Sequence, residues 1–155
     1  MLDTKNFTLR TGGRTFEAAA FLRRSGADTS EVKKIFQTDF DDTISKYSII
    51  RNAQVYRPGI AIAVSETTVG RVTAAQAADE LLNISGIGAS FVLFPDSSSI
   101  TLSARSIMDD VNVQVILEAL GGGGNAAAAG GQVPDKSLEE VTEALKQAID
   151  HYLSE

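Results

Sequence analysis

The sequence has no cysteine and only one histidine in 155 residues. Without cysteine there is no disulfide, no thiolate metal site and no thiol chemistry, which fits a cytosolic protein. The single histidine, His151, falls in the last turn of the last predicted helix, where a favourable charge–dipole position is a better interpretation than catalysis. The sequence contains no recognisable Ser–His–Asp set, zinc-binding pattern or Walker loop, and no complete active site.

Positive charge is also scarce, since 14 lysines and arginines face 20 acidic residues, for a net charge of −6. A protein that grips long duplex nucleic acid normally needs a basic face to displace counterions, so that class is excluded. A small phosphorylated ligand needs only one or two well-placed cations and stays allowed. No apolar run approaches the ~20 residues of a membrane-spanning helix. The first residues lack signal-peptide features, and a soluble chain is expected.

Apolar spacing predicts helices in about the first 51 residues and a mixture of strands and helices afterwards. The first helix is predicted to be capped by Thr15, the second by Asp28, Thr29 or Ser30, and the third to end near Arg51. The β-type runs that follow predict five strands. These are Ala53–Tyr56, Ile60–Val64, a hairpin of Ala89–Phe94 with Ile100–Ala104, and Gln132–Val133.

Three later helices are predicted from capping residues. Thr73 with Gln76 and Ser137 with Glu140 are capping-box pairs, and Asp109 or Asp110 is expected to cap the helix between them. Helices before and between strands predict an α/β protein: a mixed β-sheet with flanking helices, preceded by a helical connector.

Six of the 13 glycines fall within eleven residues, at Gly121, Gly122, Gly123, Gly124, Gly130 and Gly131. Glycine leaves backbone N–H groups uncovered, so such a run can form a concave donor surface for an anion. Four alanines after Asn125 favour the same interpretation, because a surface of small residues lets a base or sugar approach the backbone. The alternative is a flexible linker, and composition alone leaves the two about equally favoured.

The second strand of the hairpin ends in Ser103-Ala104-Arg105-Ser106. An arginine between two serines at a strand exit can hold a phosphate in bidentate fashion, with the hydroxyls as further donors. An ordinary surface arginine is the simpler interpretation of this tetrad taken alone.

Two places in the sequence offer carboxylates as candidate metal ligands. Asp3 could bind a hard cation, but a lone acid near a terminus is usually solvated. Asp39, Asp41 and Asp42 stand where a helix begins, so capping and dipole roles are favoured for them.

Taken together, Ile100–Ser106, Val111–Gln114 and the run Gly121–Gly124 resemble the DHH-associated C-terminal domain of DHH-family phosphoesterases. More narrowly, they are similar to the membrane-anchored cyclic-di-AMP phosphodiesterases of the GdpP type. The segment Asp3–Gly12, with Arg14-Thr15-Phe16, resembles the stretch that leaves the catalytic lobe in that family. The similarity covers essentially the whole chain.

The resemblance implies a two-lobed phosphodiesterase that converts cyclic-di-AMP to the linear dinucleotide. Its N-terminal lobe carries an Asp-His-His signature and binds two manganese ions, and of the metal ligands only the last aspartate falls in this chain, on Asp3. Residues 1–52 correspond to the end of that lobe and a connector, and residues 53–155 to the nucleotide-binding domain. The substrate-binding positions fall on Ser103, Arg105, Ser106, Gly121, Gly122, Gly123, Gly124 and Asn125.

The family usually has histidine directly after the glycines, where this chain has Asn125, which cannot become positively charged. The resemblance further implies a cytoplasmic domain of a parent protein anchored in the bacterial membrane. The missing catalytic lobe and a cyclic dinucleotide or short oligonucleotide are the expected partners. A homodimer is left open, and this segment alone is expected to be inactive and to hold no metal ion. A short-oligonucleotide phosphodiesterase lobe, a non-catalytic nucleotide-binding or nucleic-acid-binding module and a structural domain remain the alternatives.

Overall fold

The computed structural model describes residues 4, 7 and 11–154. Contacts divide the chain into two compact units, Met1–Thr38 and Asp39–Glu155. Asp3, the predicted metal ligand, lies outside the described residues.

The first unit contains two helices, α1 (Gly13–Arg24) and α2 (Thr29–Ile35), and no residue of either helix is buried. The prediction that Thr15 caps α1 is wrong, because the helix begins two residues earlier with Gly12 as its N-cap. Thr15 instead accepts a hydrogen bond from the Gly12 amide on its Oγ1, at 3.4 Å. Asp28 caps α2 by accepting from the Ser30 amide at 2.8 Å.

The second unit contains a six-stranded sheet and four helices. In chain order its elements are α3 (Phe40–Arg51), β1 (Gln54–Arg57), β2 (Gly59–Val64), α4 (Arg71–Leu81), β3 (Ile87–Asp96), β4 (Ser99–Ser106), α5 (Val113–Glu118), β5 (Gly123–Asn125), β6 (Ala128–Pro134) and α6 (Leu138–Ser154). The strand order is β1-β2-β3-β4-β6-β5. Only β2 and β3, which α4 connects, run parallel. The predicted α/β class, with a mixed sheet and flanking helices, is confirmed.

The two faces of the sheet are buried unequally. Alternate residues of β3 point in opposite directions, so Phe91 and Leu93 pack toward α5 and α6 while Val92 and Phe94 pack toward α3 and α4. The first cluster extends across the sheet to Ala129 in β6. The second includes no residue of β4, β5 or β6. On this second side of the sheet, β5 and β6 are therefore left without an apolar helix packed on them, whereas β4 lies beside α4, with Thr101 and Ser103 buried and Arg105 paired with Asp79.

Two of the three later helix starts differ from the sequence prediction. Helix α4 begins at Arg71 with Gly70 as N-cap, so Thr73 is not a cap. Thr73 is buried and donates a hydrogen bond to Asp42 of α3 at 3.0 Å. Helix α5 is capped by Asn112, not by Asp109 or Asp110, because the Asn112 side chain accepts from the amides of the second and third helical residues.

The capping box of α6 is confirmed. Ser137 accepts from the Glu140 amide at 3.1 Å, and the Glu140 carboxylate accepts from the Ser137 amide at 2.8 Å. That bond is the main reason the pKa of Glu140 is lowered. The apolar stripe behind the box, Val141, Leu145 and Ile149, is buried against the sheet.

The edge strand β1 is fastened to α6 through one carboxylate. Asp150 accepts two hydrogen bonds from Arg57 and one from the Tyr56 hydroxyl, each at 2.8 Å. The Arg57 hydrogen bonds, followed by that of Tyr56, lower the pKa of Asp150, and the same contact raises the pKa of Tyr56. These residues lie at the opposite edge of the sheet from β5, so the clamp has a structural role.

Helix α3 belongs to the compact unit of the sheet. Ile49 is buried against α4, and Asp42 holds Thr73, which places the division between units before α3. The functional boundary predicted between residues 52 and 53 stays a prediction.

Asp39 caps α3 through the Asp41 amide at 2.8 Å, as the capping interpretation expects. No helix in the described part of the chain is long and apolar enough to cross a bilayer.

Candidate functional site

The candidate site is the α4 side of β4, β6 and β5, called here the open face because β6 and β5 are uncovered there, while Thr101 and Ser103 of β4 are buried beside α4. Residues opposite each other in an antiparallel pair point to the same side of a sheet. Arg105 pairs with Ala128, which in turn pairs with Asn125. Ser103 pairs with Gly130, and Gly130 with Gly123. The pairing thus brings four of the predicted site residues, Ser103, Arg105, Gly123 and Asn125, onto one surface.

The centre of the open face is bare of large side chains. Ala128, Gly130 and Gly123 carry at most one methyl group, so the backbone of β6 and β5 can be approached closely. A cleft of about 500 Å³ lies on this surface beside the start of α4. It is lined by Arg71, Phe94, Thr101, Leu102, Ser103, Gly121, Gly130, Gly131 and Gln132.

Arg105 is the main cation of the open face, and the structure corrects its predicted setting. It lies one residue inside the end of β4, with its side chain only 20% exposed, rather than on an exposed strand exit. Its Nε lies 3.2 Å from Oδ1 of Asp79 on α4. Its Nη1 donates to the Ala104 carbonyl at 2.8 Å and to the Ser103 hydroxyl at 3.4 Å. The guanidinium is therefore held in place before any ligand arrives.

Ser106 is not part of this arrangement. As the neighbour of Arg105 in a strand, it points to the opposite face, and it is buried there. Its hydroxyl donates to the Met108 carbonyl at 3.3 Å and accepts from the Met108 amide at 3.0 Å. Of the two serines that flank the arginine tetrad, only Ser103 shares a surface with Arg105.

The four consecutive glycines are divided between the end of α5 and strand β5 and do not form one loop, and their contact with a substrate stays a prediction. Gly121 follows α5 with a φ of +77°, a conformation that favours glycine. Gly123 and Gly124 belong to strand β5, and Gly124 lies against the backbone of Ala128 and Ala129. The run is also not a flexible linker, because β5 pairs with β6 throughout its length.

Gly122 is a packing residue, and we expect its replacement to be costly. A Cβ there would lie 2.7 Å from the Gly130 carbonyl oxygen and 3.0 Å from that of Leu117, whereas a Cβ at Gly123 meets nothing within 4 Å. Gly122→Ala should therefore lower the free energy of unfolding by about 1–3 kcal/mol. Urea unfolding measures this, and Gly123→Ala is the matched control, expected to change stability by less than about 0.5 kcal/mol. Equal losses in both variants would contradict the close packing.

Asn125 closes the turn between β5 and β6. Its Oδ1 accepts hydrogen bonds from the amides of Ala127 and Ala128, both at 3.0 Å. This side-chain turn is one that asparagine forms well, so the local backbone alone accounts for the residue. Contact between Asn125 and an anion stays a prediction.

Three polar residues of the cleft were missed by the sequence reasoning: Arg71, Thr101 and Gln132. Thr101 precedes Ser103 and Arg105 at strand spacing, so the alternation along β4 could have identified it. Gln132 is found only from the register, which places it opposite Thr101. Arg71 comes from a different element, α4, and is held by Asp96 at 2.9 Å. No local signal marks it.

The described residues do not fit a manganese site. Among residues 4, 7 and 11–154, no three His, Cys, Asp or Glu side chains come together that could hold a metal ion. Asp3 lies outside that part of the chain. The two-ion centre implied by the resemblance therefore stays a prediction about residues that the structure does not describe.

Comparison with known proteins supports the resemblance. The chain is 45% identical to the cyclic-di-AMP phosphodiesterase PdeA of Listeria monocytogenes over 98% of its own length and 23% of that protein's. It is also 45% identical to the cyclic-di-AMP phosphodiesterase GdpP of Bacillus subtilis over 98% of this chain and 24% of that one. It thus spans less than a quarter of these curated relatives.

The fold is shared with a solved structure. An exopolyphosphatase-related protein from Bacteroides fragilis superposes with a TM-score of 0.87 over 98% of this chain and 47% of that one, at 21% identity. The DHHA1 domain family matches residues 58–155, which contain strands β2 to β6 and none of β1. This confirms the resemblance to the DHH-associated domain, and the chain belongs to the DHHA1 domain family.

Proposed function

We propose that this chain is the substrate-binding C-terminal lobe of a manganese-dependent phosphodiesterase that hydrolyses cyclic-di-AMP to linear pApA. The observation that carries the proposal is the open face, where Arg105, Ser103 and Asn125 surround a floor of glycine and alanine. The relatives that are 45% identical to this chain are named as cyclic-di-AMP phosphodiesterases, which supports the same substrate class for this chain.

The phosphate of the dinucleotide would lie beside Arg105. A guanidinium fixed by Asp79 presents its remaining N–H groups without losing side-chain freedom on binding. The hydroxyl of Ser103, two residues before Arg105 in β4, adds a second hydrogen-bond donor. Because Gly123 and Gly130 carry no side chains, the sugar can lie directly on the strands. The proposed metal centre would be formed by residues outside the described part of the chain, and nothing in the proposed contacts depends on it.

Asn125→Asp separates the turn role of this residue from a role in anion binding. Aspartate keeps the oxygen that accepts from the two turn amides. It also places a negative charge on the open face across Ala128 from Arg105. Repulsion from the phosphate should weaken pApA binding about tenfold, while stability is retained. Isothermal titration calorimetry at low salt measures the affinity, because salt screens such an effect.

Asn112→Asp is the matched control, since Asn112 also uses its side-chain oxygen to accept from backbone amides, at the start of α5. It adds the same charge outside the open face and should leave pApA affinity unchanged. Equal affinities in wild type and Asn125→Asp would place the phosphate elsewhere. Tighter binding of longer oligonucleotides than of pApA would favour the oligonucleotide-phosphodiesterase alternative.

A further inference from the structure

A second polar pair lies on the open face, at the far end from Arg105. Gln132 of β6 and Thr101 of β4 are register partners, and the Gln132 amide donates to the Thr101 hydroxyl at 3.4 Å. Thr101 precedes Arg105 by four residues in the same strand. At about 3.3 Å per residue, the two polar rows are separated by roughly 13 Å.

Helix α4 runs beside this surface, and ion pairs near its two ends join it to β3 and to β4. Arg71, its first residue, is held by Asp96 through Nε and Nη2, at 3.3 and 2.9 Å. Asp79, eight residues later and about 12 Å further along the helix, holds Arg105. The surface is therefore a groove with two polar ends and a centre of Gly130 and Gly123. A single phosphate does not span that length, whereas a nucleotide extending from its phosphate to its base does.

We infer that the end formed by Gln132, Thr101 and Arg71 reads a nucleobase of the dinucleotide, and that it selects adenine over guanine. This inference rests on the proposed function, which places the phosphate at the Arg105 end.

The hydrogen-bonding pattern of the Gln132 amide is the reason for the choice of adenine. An amide places a donor and an acceptor side by side, which matches the N6 amino group and N7 of adenine. Guanine presents two acceptors, O6 and N7, at the same edge. The bond to Thr101 uses one of the two Gln132 N–H groups and orients the amide, so that the other N–H and the oxygen are left for the base.

The surroundings of Gln132 suit a flat ring. Gly130, on the same face of β6, leaves the backbone beside it bare, and it lines the cleft together with Gln132. Arg71 lines the same cleft; its side chain is 64% exposed, and its Nε and Nη2 both donate to one carboxylate oxygen of Asp96. Planar guanidinium groups stack on nucleobases. The cleft of about 500 Å³ has room for a base.

The test measures affinities of the chain for two probes, pApA and pGpG, by calorimetry or by amide chemical shifts for weak binding. The wild type should bind pApA more tightly. Gln132→Ala should reduce the ratio of the two affinities by about fivefold or more, since a bidentate base contact discriminates by that much. Gln132→Arg should reverse the preference, because arginine pairs with O6 and N7 of guanine. The ratio is insensitive to any shared loss of folded protein.

Gln54→Ala is the matched control, an exposed glutamine in the strand at the opposite edge of the sheet, and should leave the ratio unchanged. An unaltered ratio in both Gln132 variants, or a wild-type preference for pGpG, would overturn the inference while leaving the proposed function intact. Failure of the wild type to bind either probe at millimolar concentration would overturn the proposed function, and the base-reading role with it.

Discussion

Phe91→Ala is expected to lower the free energy of unfolding by about 3–5 kcal/mol, the largest effect of any substitution considered for this chain. Phe91 is only 1% exposed and lies in β3 between Ile62 of β2 and Ala104 of β4. Its ring belongs to the cluster that joins the sheet to α5 and α6. Truncation removes its transfer free energy and leaves a cavity that rigid neighbouring strands cannot close.

Tyrosine fluorescence during urea unfolding measures this effect in the sheet unit alone. The chain has no tryptophan, and its three tyrosines all lie after Thr38. Phe40→Ala is the control, because Phe40 in α3 is 75% exposed and its truncation should cost less than about 0.5 kcal/mol. A loss below about 1 kcal/mol for Phe91→Ala would show that the cluster is less tightly packed than its burial indicates.

Arg105→Ala should weaken binding of a dinucleotide phosphate by about 1.5–3 kcal/mol, or roughly 10- to 150-fold. The variant removes a charged donor that Asp79 and Ser103 hold in position. It also leaves the Asp79 carboxylate without this cation beside the phosphate. Arg105→Lys keeps the charge but loses the planar fork, so an intermediate affinity is expected. Calorimetric titration with pApA measures all three proteins.

Arg57→Ala is the matched control for this experiment. Arg57 is also a strand arginine paired with an aspartate, but it lies in the opposite edge strand, β1. Its removal should affect the clamp to α6 and leave dinucleotide affinity unchanged. If Arg105→Ala binds pApA as tightly as wild type, Arg105 only ties β4 to α4 and the phosphate site must be placed elsewhere.

The starts of helices show where local sequence signals were sufficient. At α6, Ser137 and Glu140 stand directly before a well-separated apolar stripe, and the capping box forms as predicted. Thr73 and Gln76 have the same spacing, but the Thr73 hydroxyl is bonded to Asp42, 31 positions earlier in the chain. The same side chain can either cap a helix or bond to a distant carboxylate. Tertiary packing decides between these two roles, and the spacing of residues in the sequence carries no information about that packing.

The site shows the same division. Alternation along β4 is enough to place Ser103 and Arg105 on one face, and that alternation also puts Ser106 on the other. The roles of Gly122 and Gly123 differ only because β6 folds back against Gly122 and leaves the outer side of Gly123 open.

The sequence alone determined the α/β class, the hairpin and the family resemblance, since these depend on short-range patterns or on motifs that several segments carry together; the binding role of Arg105 that the resemblance implies stays a prediction. Only the tertiary structure decided that Asp79 holds Arg105, that Gln132 faces Thr101 and that Arg71 borders the cleft. Those contacts join residues 26 to 31 positions apart or on different elements. They are set by strand register and by the packing of α4 beside β4, and no periodicity within a single segment specifies either.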